Sequence, residues 1–599
     1  MRKQDNFLKN NKRIIRCAKY NGKATVQPVV ERKANIYENG DVPQKISFIV
    51  KCEEYDVFSV NTTLLMPFDC ELPLKIYEAK SGETVTAQLP DLTEFYGVFH
   101  INVIVRNQKG ELLCEQLIPF SHVRTGSGSF KKSGSLAHII NHDVPSSYEL
   151  IDLYKKCGMR KMRVDFTWRF VELQKGILKI PERWCNIVDY LHKNGIEIHA
   201  VLNYGCEFYD DFKAPYTEDG LDAWLNYCRF TVNHFKGVVK HYEVWNEYNL
   251  CMGNAPGTPE KYAELLKPTY TAIKEIDPEI VVTAGVTCNT QPDWIRRMLS
   301  CDSYGYFDEL SLHCYCQPDD VYPDNGQGET ENNTKSYIEL MKPYGEPKPV
   351  WISEMGWTTA AGNFRSSRES QAACFARLFA IVETSDVIER LCYYNFRDSS
   401  PTNTFDPEFQ WGSIEAPESI VTNAAKESFA TISCLNYMIG NAEFVSRRVV
   451  GKISQITYCE NGEQIQILWS LDGNNDIMRY NRMAFAKTSN TGEIVAWRWF
   501  CVSNRSVGRF RNCKCDITRV DENTHYSIAI PWCELLPPNI ELCDCDSFGF
   551  AFRVNYAEST DACVDGYAQL YSGIGHRRTA LTGLPRELGR ITLVKKPIF

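Results

Sequence analysis

Two glutamates in similar settings carry the chemical content of this chain. Glu247 ends the run His241-Tyr242-Glu243-Val244-Trp245-Asn246-Glu247, and Glu354 ends Val350-Trp351-Ile352-Ser353-Glu354, with Gly356 and Trp357 just beyond. Each run reads as an apolar strand that stops at a carboxylate. In the first, Glu243, Trp245 and Glu247 alternate onto one face. Two carboxylates at two strand ends are the minimum set for hydrolysing a glycosidic bond, one protonating the leaving oxygen and the other serving the anomeric carbon. A lone glutamate in a strand is more often a surface or ion-pair residue, so the case depends on what else gathers beside these two.

From about residue 130 to 439, short apolar strands alternate with helical stretches. Strands are expected near Ala137–Ile140, Lys161–Asp165, Glu197–Leu202, His241–Trp245, Ile280–Ala284, Glu309–His313, Pro349–Ser353 and Arg390–Tyr394. Helical stretches fall between them, among them Ser147–Cys157, Pro181–Asn194, Gly220–His234, Pro259–Ile276 and Ser367–Glu383. Eight strands in this rhythm make a (β/α)8 TIM barrel, and right-handed crossovers bring every strand's C-terminal end to one face. Polar residues then converge on that rim: Arg163 and Asp165 with Trp168 beyond, Asn203-Tyr204, Asn246-Glu247, His313 and Tyr315, Glu354 with Trp357, and Tyr393, Tyr394 and Arg397. One polar strand end is unremarkable; six of eight are hard to explain by structure alone. The polar stretch Gln317–Lys335 follows the sixth strand and is a candidate lid.

The flanking segments have a different texture. Residues 14–124 show β-branched alternation in Lys45–Val50, Phe58–Val60 and Val98–Val105, with turns at Asn39-Gly40, Ser81-Gly82 and Lys109-Gly110. An Ig-like β-sandwich is expected there, then a linker at Thr125–Ser129. Residues 440–599 return to strands separated by Gly- and Asn-rich turns, which suggests a second β-sandwich. The expected architecture is thus multidomain, a central barrel between two sandwiches.

Net charge is −9, which argues against nucleic acid as a partner, since that requires a basic face. No apolar run is long enough to span a membrane. The basic head (Arg2 to Lys19) lacks the apolar core of an export signal. The 24 cysteines are scattered, many within apolar stretches, so free thiols and a cytoplasmic location are expected. Cys513/Cys515 and Cys543/Cys545 are too closely spaced for the usual zinc pattern and have no suitable histidine, so no metal and no cofactor are expected. Aromatic content of 12% suits stacking on sugars, but taken alone it points first to a ring-rich core.

Trp245-Asn246-Glu247 and Ser353-Glu354-Met355-Gly356-Trp357 resemble the fourth-strand and seventh-strand motifs of clan A glycoside hydrolases. Arg163-Val164-Asp165-Phe166-Thr167-Trp168 and Leu312-His313-Cys314-Tyr315 look most like families 39 and 5. Tyr248 stands where these families often have proline. The resemblance implies a retaining hydrolase with Glu354 as nucleophile and Glu247 as general acid and then base. It also implies that Asn246 binds the sugar 2-hydroxyl and that Arg163 and Tyr315 orient Glu354. Asn203, His313 and Tyr394 are further substrate-binding candidates, with Trp168, Trp357 and Trp411 as stacking platforms. The general acid must hold its proton near neutral pH, so the carboxyl of Glu247 is expected to be raised by its carboxylate neighbour. The expected partner is an oligo- or polysaccharide cut from one end by a xylosidase-, glucosidase- or arabinosidase-like enzyme, and homo-oligomerisation stays open. A catalytically silent glycan-binding protein on the same scaffold is the competing reading. Phe550–Asn555 and Tyr571–Gly575 resemble carbohydrate-binding module family 9, with Trp497, Trp499 and Trp532 placed to stack on a glycan.

Overall fold

The computed structural model describes residues 23–67, 70–250, 257–315, 329–360, 366–403, 406–450 and 453–470, and the backbone of strands between residues 482 and 574. The chain divides into two compact units, Met1–Met66 with Glu71–Asn474, and Pro67–Cys70 with Asn475–Phe599.

In the first unit, two sheets precede the barrel, antiparallel except where Ile36–Glu38 pairs parallel with Leu112–Val123. One has three strands, Ala24–Val29, Lys45–Cys52 and Thr84–Gln88. The other has five, built round Val57–Met66, Gly97–Arg106 and Leu112–Val123. From Val57 to Leu64 the buried residues are Phe58, Val60, Thr62 and Leu64, the period of two that a sheet with one covered face requires; Leu65 and Met66 at the strand's end are buried as well.

Eight parallel strands close the barrel: Ser133–Leu136, Lys161–Thr167, Glu197–Asn203, His241–Val244, Val281–Ala284, Glu309–His313, Val350–Glu354 and Leu391–Tyr393, the last pairing with the first. Helices such as Val144–Lys156, Glu182–Lys193, Glu218–His234, Pro259–Ile276 and Arg368–Thr384 connect them. Their starts follow local chemistry. Asp143, Thr217, Thr258 and Ser367 each accept a hydrogen bond from a first-turn backbone N–H, closing a donor that the helix leaves open. Seven strands lie where the residue pattern places them. The first does not: it is Ser133–Leu136, whereas the expected Ala137–Ile140 forms the turn beyond it and the start of the short helix Ile139–Asn141. The pattern there misleads because Ser133-Gly134-Ser135 has no apolar signal, and its burial comes from neighbouring strands.

The barrel's lower end is charged. Arg390 donates to Glu309 Oε1 and Oε2 (2.5 and 2.9 Å) and to Nδ1 of His241 and His199 (3.1 and 3.4 Å). Glu197 Oε1 lies 2.8 Å from His199 Nε2 and 3.3 Å from His241 Nε2.

After the barrel, helix Glu427–Ile439 packs back towards the N-terminal sheets, with Ser433 Oγ donating to the Arg124 carbonyl at 2.7 Å. Strands Glu443–Val450, Ile453–Glu460 and Glu463–Ser470 then form an antiparallel sheet. In the second unit the described strands pair antiparallel, including Arg482–Lys487 with Ile494–Phe500 and Phe548–Tyr556 with Gly566–Ile574. The side chains of Trp497 and Trp499, all of Trp532, the four closely spaced cysteines' side chains, the basic head and most of the candidate lid lie outside the described residues. Every cysteine with a described side chain is free. No described helix is long and apolar enough to cross a membrane.

Candidate active site

Arg163, fully buried on the second strand, ties the two key strands together. Its Nε donates to Glu243 Oε1 at 3.2 Å and its Nη2 donates to the same oxygen; Nη2 also reaches Asn246 Oδ1 at 2.8 Å, and Nη1 donates to Glu354 Oε1 at 2.5 Å. A guanidinium removed from water needs such partners, and its planar fork can hold three groups in one geometry. The other oxygen of Glu354, Oε2, accepts from the Tyr315 hydroxyl at 3.0 Å. Arginine and phenol together therefore fix the orientation of this carboxylate.

The fourth strand stops at Val244, and Trp245 and Glu247 take left-handed backbone angles (φ 70° and 48°). The expected alternation of Glu243, Trp245 and Glu247 on one face is therefore broken. Glu243 points at Arg163, and the buried Trp245 packs on Trp224 of helix Glu218–His234 at 5.4 Å between ring centres. Asn246 and Glu247 are left partly exposed at the strand's end. Non-glycine residues held in this backbone region cluster at functional sites. Tyr248 also has a reason: its N–H donates to the Val286 carbonyl at 3.1 Å, a bond proline could not make.

His313 is fully buried with Nδ1 3.0 Å from Glu247 Oε1 and 3.6 Å from Glu354 Oε2. Single oxygens of Glu247 and Glu354 and this nitrogen all lie within 4.8 Å of one another. Burial alone would lower the imidazole's pKa, but the charge of Glu354 and the hydrogen bond and charge of Glu247 outweigh it, and the net shift is upward. For Glu247 the balance runs the other way. Burial raises its carboxyl, but the bond and charge of His313, the Cys288 thiol and Arg163 bring it below the ordinary value. The expected rise at Glu247 is thus absent, because His313 beside it favours the charged carboxylate.

Around this pair, Asp165 accepts from Asn203 Nδ2 at 2.6 Å and meets His138 Nδ1 at 2.9 Å. His138 Nε2 lies 3.4 Å from the Tyr394 hydroxyl, which in turn donates to Glu408 Oε2 at 3.5 Å. Asn246 Nδ2 donates to the Tyr204 hydroxyl at 3.3 Å. Half-buried Trp411 lies edge-on to Tyr315 and Tyr394, with ring centres 5.4 and 5.8 Å away. The glycine after Glu354 is required here: a Cβ on Gly356 would sit 1.9 Å from the Tyr394 carbonyl oxygen.

Most of the expected site residues gather here, but two stacking candidates do not. Trp168 is fully buried among Tyr209, Tyr227 and Trp224, and its Nε1 donates to Glu172 at 2.8 Å. Trp357 is 1% exposed and packs edge-on against Phe375 of helix Arg368–Thr384. Neither ring can meet a sugar, because each faces the helix layer. Asn203 and His313 are also fully buried, and their contacts here are with Asp165 and with the two glutamates. Residue pattern alone did not single out His138, Glu408 or Cys288. His138 and Cys288 lie on loops and Glu408 in the short helix Pro407–Phe409, and only spatial neighbours mark them.

Among the described residues two clusters have a metal's donor types: Glu247, His313 and Glu354, and at the lower end Glu197, His199 and His241. In the second, Arg390 donates to both Nδ1 atoms, which leaves each ring's proton on the Nε2 that a metal would need. That cluster is accounted for as a hydrogen-bonded network.

Residues 229–409 match the family model described as "Glycosyl hydrolase catalytic core". The chain therefore carries the catalytic core of a glycosidase on a closed eight-stranded barrel. In fold it is similar to a family 39 glycoside hydrolase from the gut symbiont Bacteroides cellulosilyticus WH2, with 18% identity, a TM-score of 0.60, and coverage of 84% of this chain and 98% of that one. A GH39 β-xylosidase from Caulobacter crescentus matches at 17% identity and TM-score 0.40, covering 56% of this chain and 79% of its own. No curated protein matches the chain.

Proposed function

We propose that the protein is a retaining glycosidase in which Glu354 is the nucleophile and Glu247 the general acid and then base. The observation that carries this is the closeness of the two carboxylates, with oxygens within 4.8 Å. Retaining enzymes hold the pair about 5–5.5 Å apart, whereas inverting ones leave about 6.5–9.5 Å for a water. Glu354, aimed by Arg163 and Tyr315, attacks the anomeric carbon while Glu247 protonates the leaving oxygen. Glu247 then takes a proton from water, which releases the sugar from Glu354. The proton needed for the first step is held between Glu247 and His313 before substrate enters. Asn246 is proposed to bind the 2-hydroxyl, and its contacts with Arg163 and Tyr204 support that role.

The substrate is proposed to be an oligo- or polysaccharide attacked from its end, with a xylose-, glucose- or arabinose-type unit at the catalytic pair. Half-buried Trp411 is the ring best placed to stack on that unit. The segment 14–124 is proposed as a β-sandwich, 130–439 as the catalytic domain, and 440–599 as a second sandwich of carbohydrate-binding-module type. The antiparallel ladders at both ends support that division.

Intact mass spectrometry after incubation with a panel of 2-deoxy-2-fluoro glycosides tests the mechanism. The expected result is a stable adduct on the peptide carrying Glu354. An adduct on another residue would sink the assignment. No adduct with any sugar, together with glycan binding by Glu354→Gln, would favour a silent binding protein.

A further inference from the structure

Large apolar side chains are exposed on the loops after the second and third barrel strands: Leu173 72%, Ile177 60%, Tyr204 40%, Phe212 39% and Tyr216 46%.

These loops are tied down. The buried carboxylate of Glu172 accepts from Trp168 Nε1 (2.8 Å), the Gly176 N–H (2.7 Å) and the Tyr209 hydroxyl (2.9 Å), so one group joins both loops to the barrel. Arg169 lies over the rings of Phe170 and Phe212, at 4.8 and 5.5 Å from their centres. Asp210, Asp211 and Phe212 are consecutively left-handed (φ 51°, 56° and 63°), and Asp210 is held by the Thr217 hydroxyl at 2.7 Å. Three adjacent non-glycine residues seldom adopt this conformation, and it sets Phe212 outward rather than into the core.

The same turn is continuous with the catalytic site. The Phe212 backbone lies against Gly205, where a Cβ would come 2.4 Å from the Phe212 carbonyl oxygen. Gly205 follows Tyr204, which bonds Asn246, the residue before Glu247. Phe212 is thus linked to the glutamate pair through Gly205, Tyr204 and Asn246.

We infer that Tyr204 and Phe212 form a second sugar subsite, which stacks on the substrate unit next to the one held between Glu247 and Glu354. This rests on the glycosidase reading above. Pyranose faces are apolar and suit a ring fixed in place, and contiguity with the catalytic site makes the substrate itself the occupant. Binding energy from a unit remote from the broken bond can then assist the reaction, so chain length should matter.

The test compares glycosyl fluorides, which carry no second ring, with xylo- and cello-oligosaccharides of two to four units, using the full chain. Phe212→Ala is expected to lower kcat/KM for the oligosaccharides about tenfold, to change the glycosyl fluoride much less, and to be rescued by Phe212→Tyr. Melting curves of both variants verify folding. Equal loss on both substrates, or no loss on either, would overturn the subsite while leaving the glycosidase reading intact. If the wild type cleaves nothing, the glycosidase reading fails. Calorimetric titration with the same oligosaccharides then decides: weaker binding by Phe212→Ala supports the subsite, and equal or absent binding overturns it.

Discussion

A single imidazole nitrogen serves both carboxylates: His313 Nδ1 lies 3.0 Å from Glu247 and 3.6 Å from Glu354. Glu247 and His313 are therefore coupled: the neighbouring carboxylate charges raise the imidazole, and the imidazole lowers Glu247. In the wild type the alkaline limb of kcat/KM should report that imidazole. In His313→Asn the proton can sit only on a carboxyl, so the limb should move to lower pH. An unmoved limb would show that His313 does not carry the proton.

Arg163 should be irreplaceable by lysine. A point charge cannot hold Glu243, Glu354 and Asn246 together, and breaking a buried pair costs about 3–5 kcal/mol. Arg163→Lys is expected to lower both the melting temperature and kcat/KM. Glu243→Gln should lower stability, and activity through the looser Arg163. Paired melting and rate measurements check this, and an active, fully stable Arg163→Lys would refute it.

The tryptophans should separate into two behaviours. Trp168→Ala empties a fully buried site and should cost about 3–5 kcal/mol of stability. Trp411→Ala, at a half-buried ring beside Tyr315 and Tyr394, should chiefly raise KM with a small change in melting temperature. Denaturant titration and steady-state kinetics on the two variants distinguish them.

The barrel's lower end should make stability sensitive to acid. Burial, with Arg390 nearby, holds His199 at about 4; burial, His199 and Arg390 hold His241 at about 2. An unfolded histidine takes its proton near 6.5, so between these values the unfolded chain binds more protons. Stability from these two groups is full above about pH 6.5 and falls as pH drops towards 4. His138 and His313, whose pKa values are raised, contribute in the opposite sense, being fully stabilising below about 6.5 and losing that as pH rises. Comparison with a variant isolates the lower end: melting temperature should fall less steeply between pH 7 and 4.5 in His241→Gln than in the wild type. Parallel slopes would refute the assignment.

Much of this molecule can be read from residue order alone. The alternation of apolar strands and amphipathic helices defines a barrel, and a barrel brings strand ends together, so Arg163, Asn246, Glu247, His313, Tyr315 and Glu354 could be assigned to one rim before any coordinate was known. That inference holds because strand and helix periods are local and the barrel's handedness is general. Other features were decided only by tertiary structure. Ser133–Leu136 is a strand because its neighbours bury it. Trp168 and Trp357 follow strands as platform residues would, yet face the helices. Glu247 has its carboxyl lowered because His313, distant in sequence, stands between it and Glu354. Residue type and spacing select which groups reach the rim; side-chain direction and proton position depend on contacts between segments far apart in the chain, and these exist only once the barrel has closed.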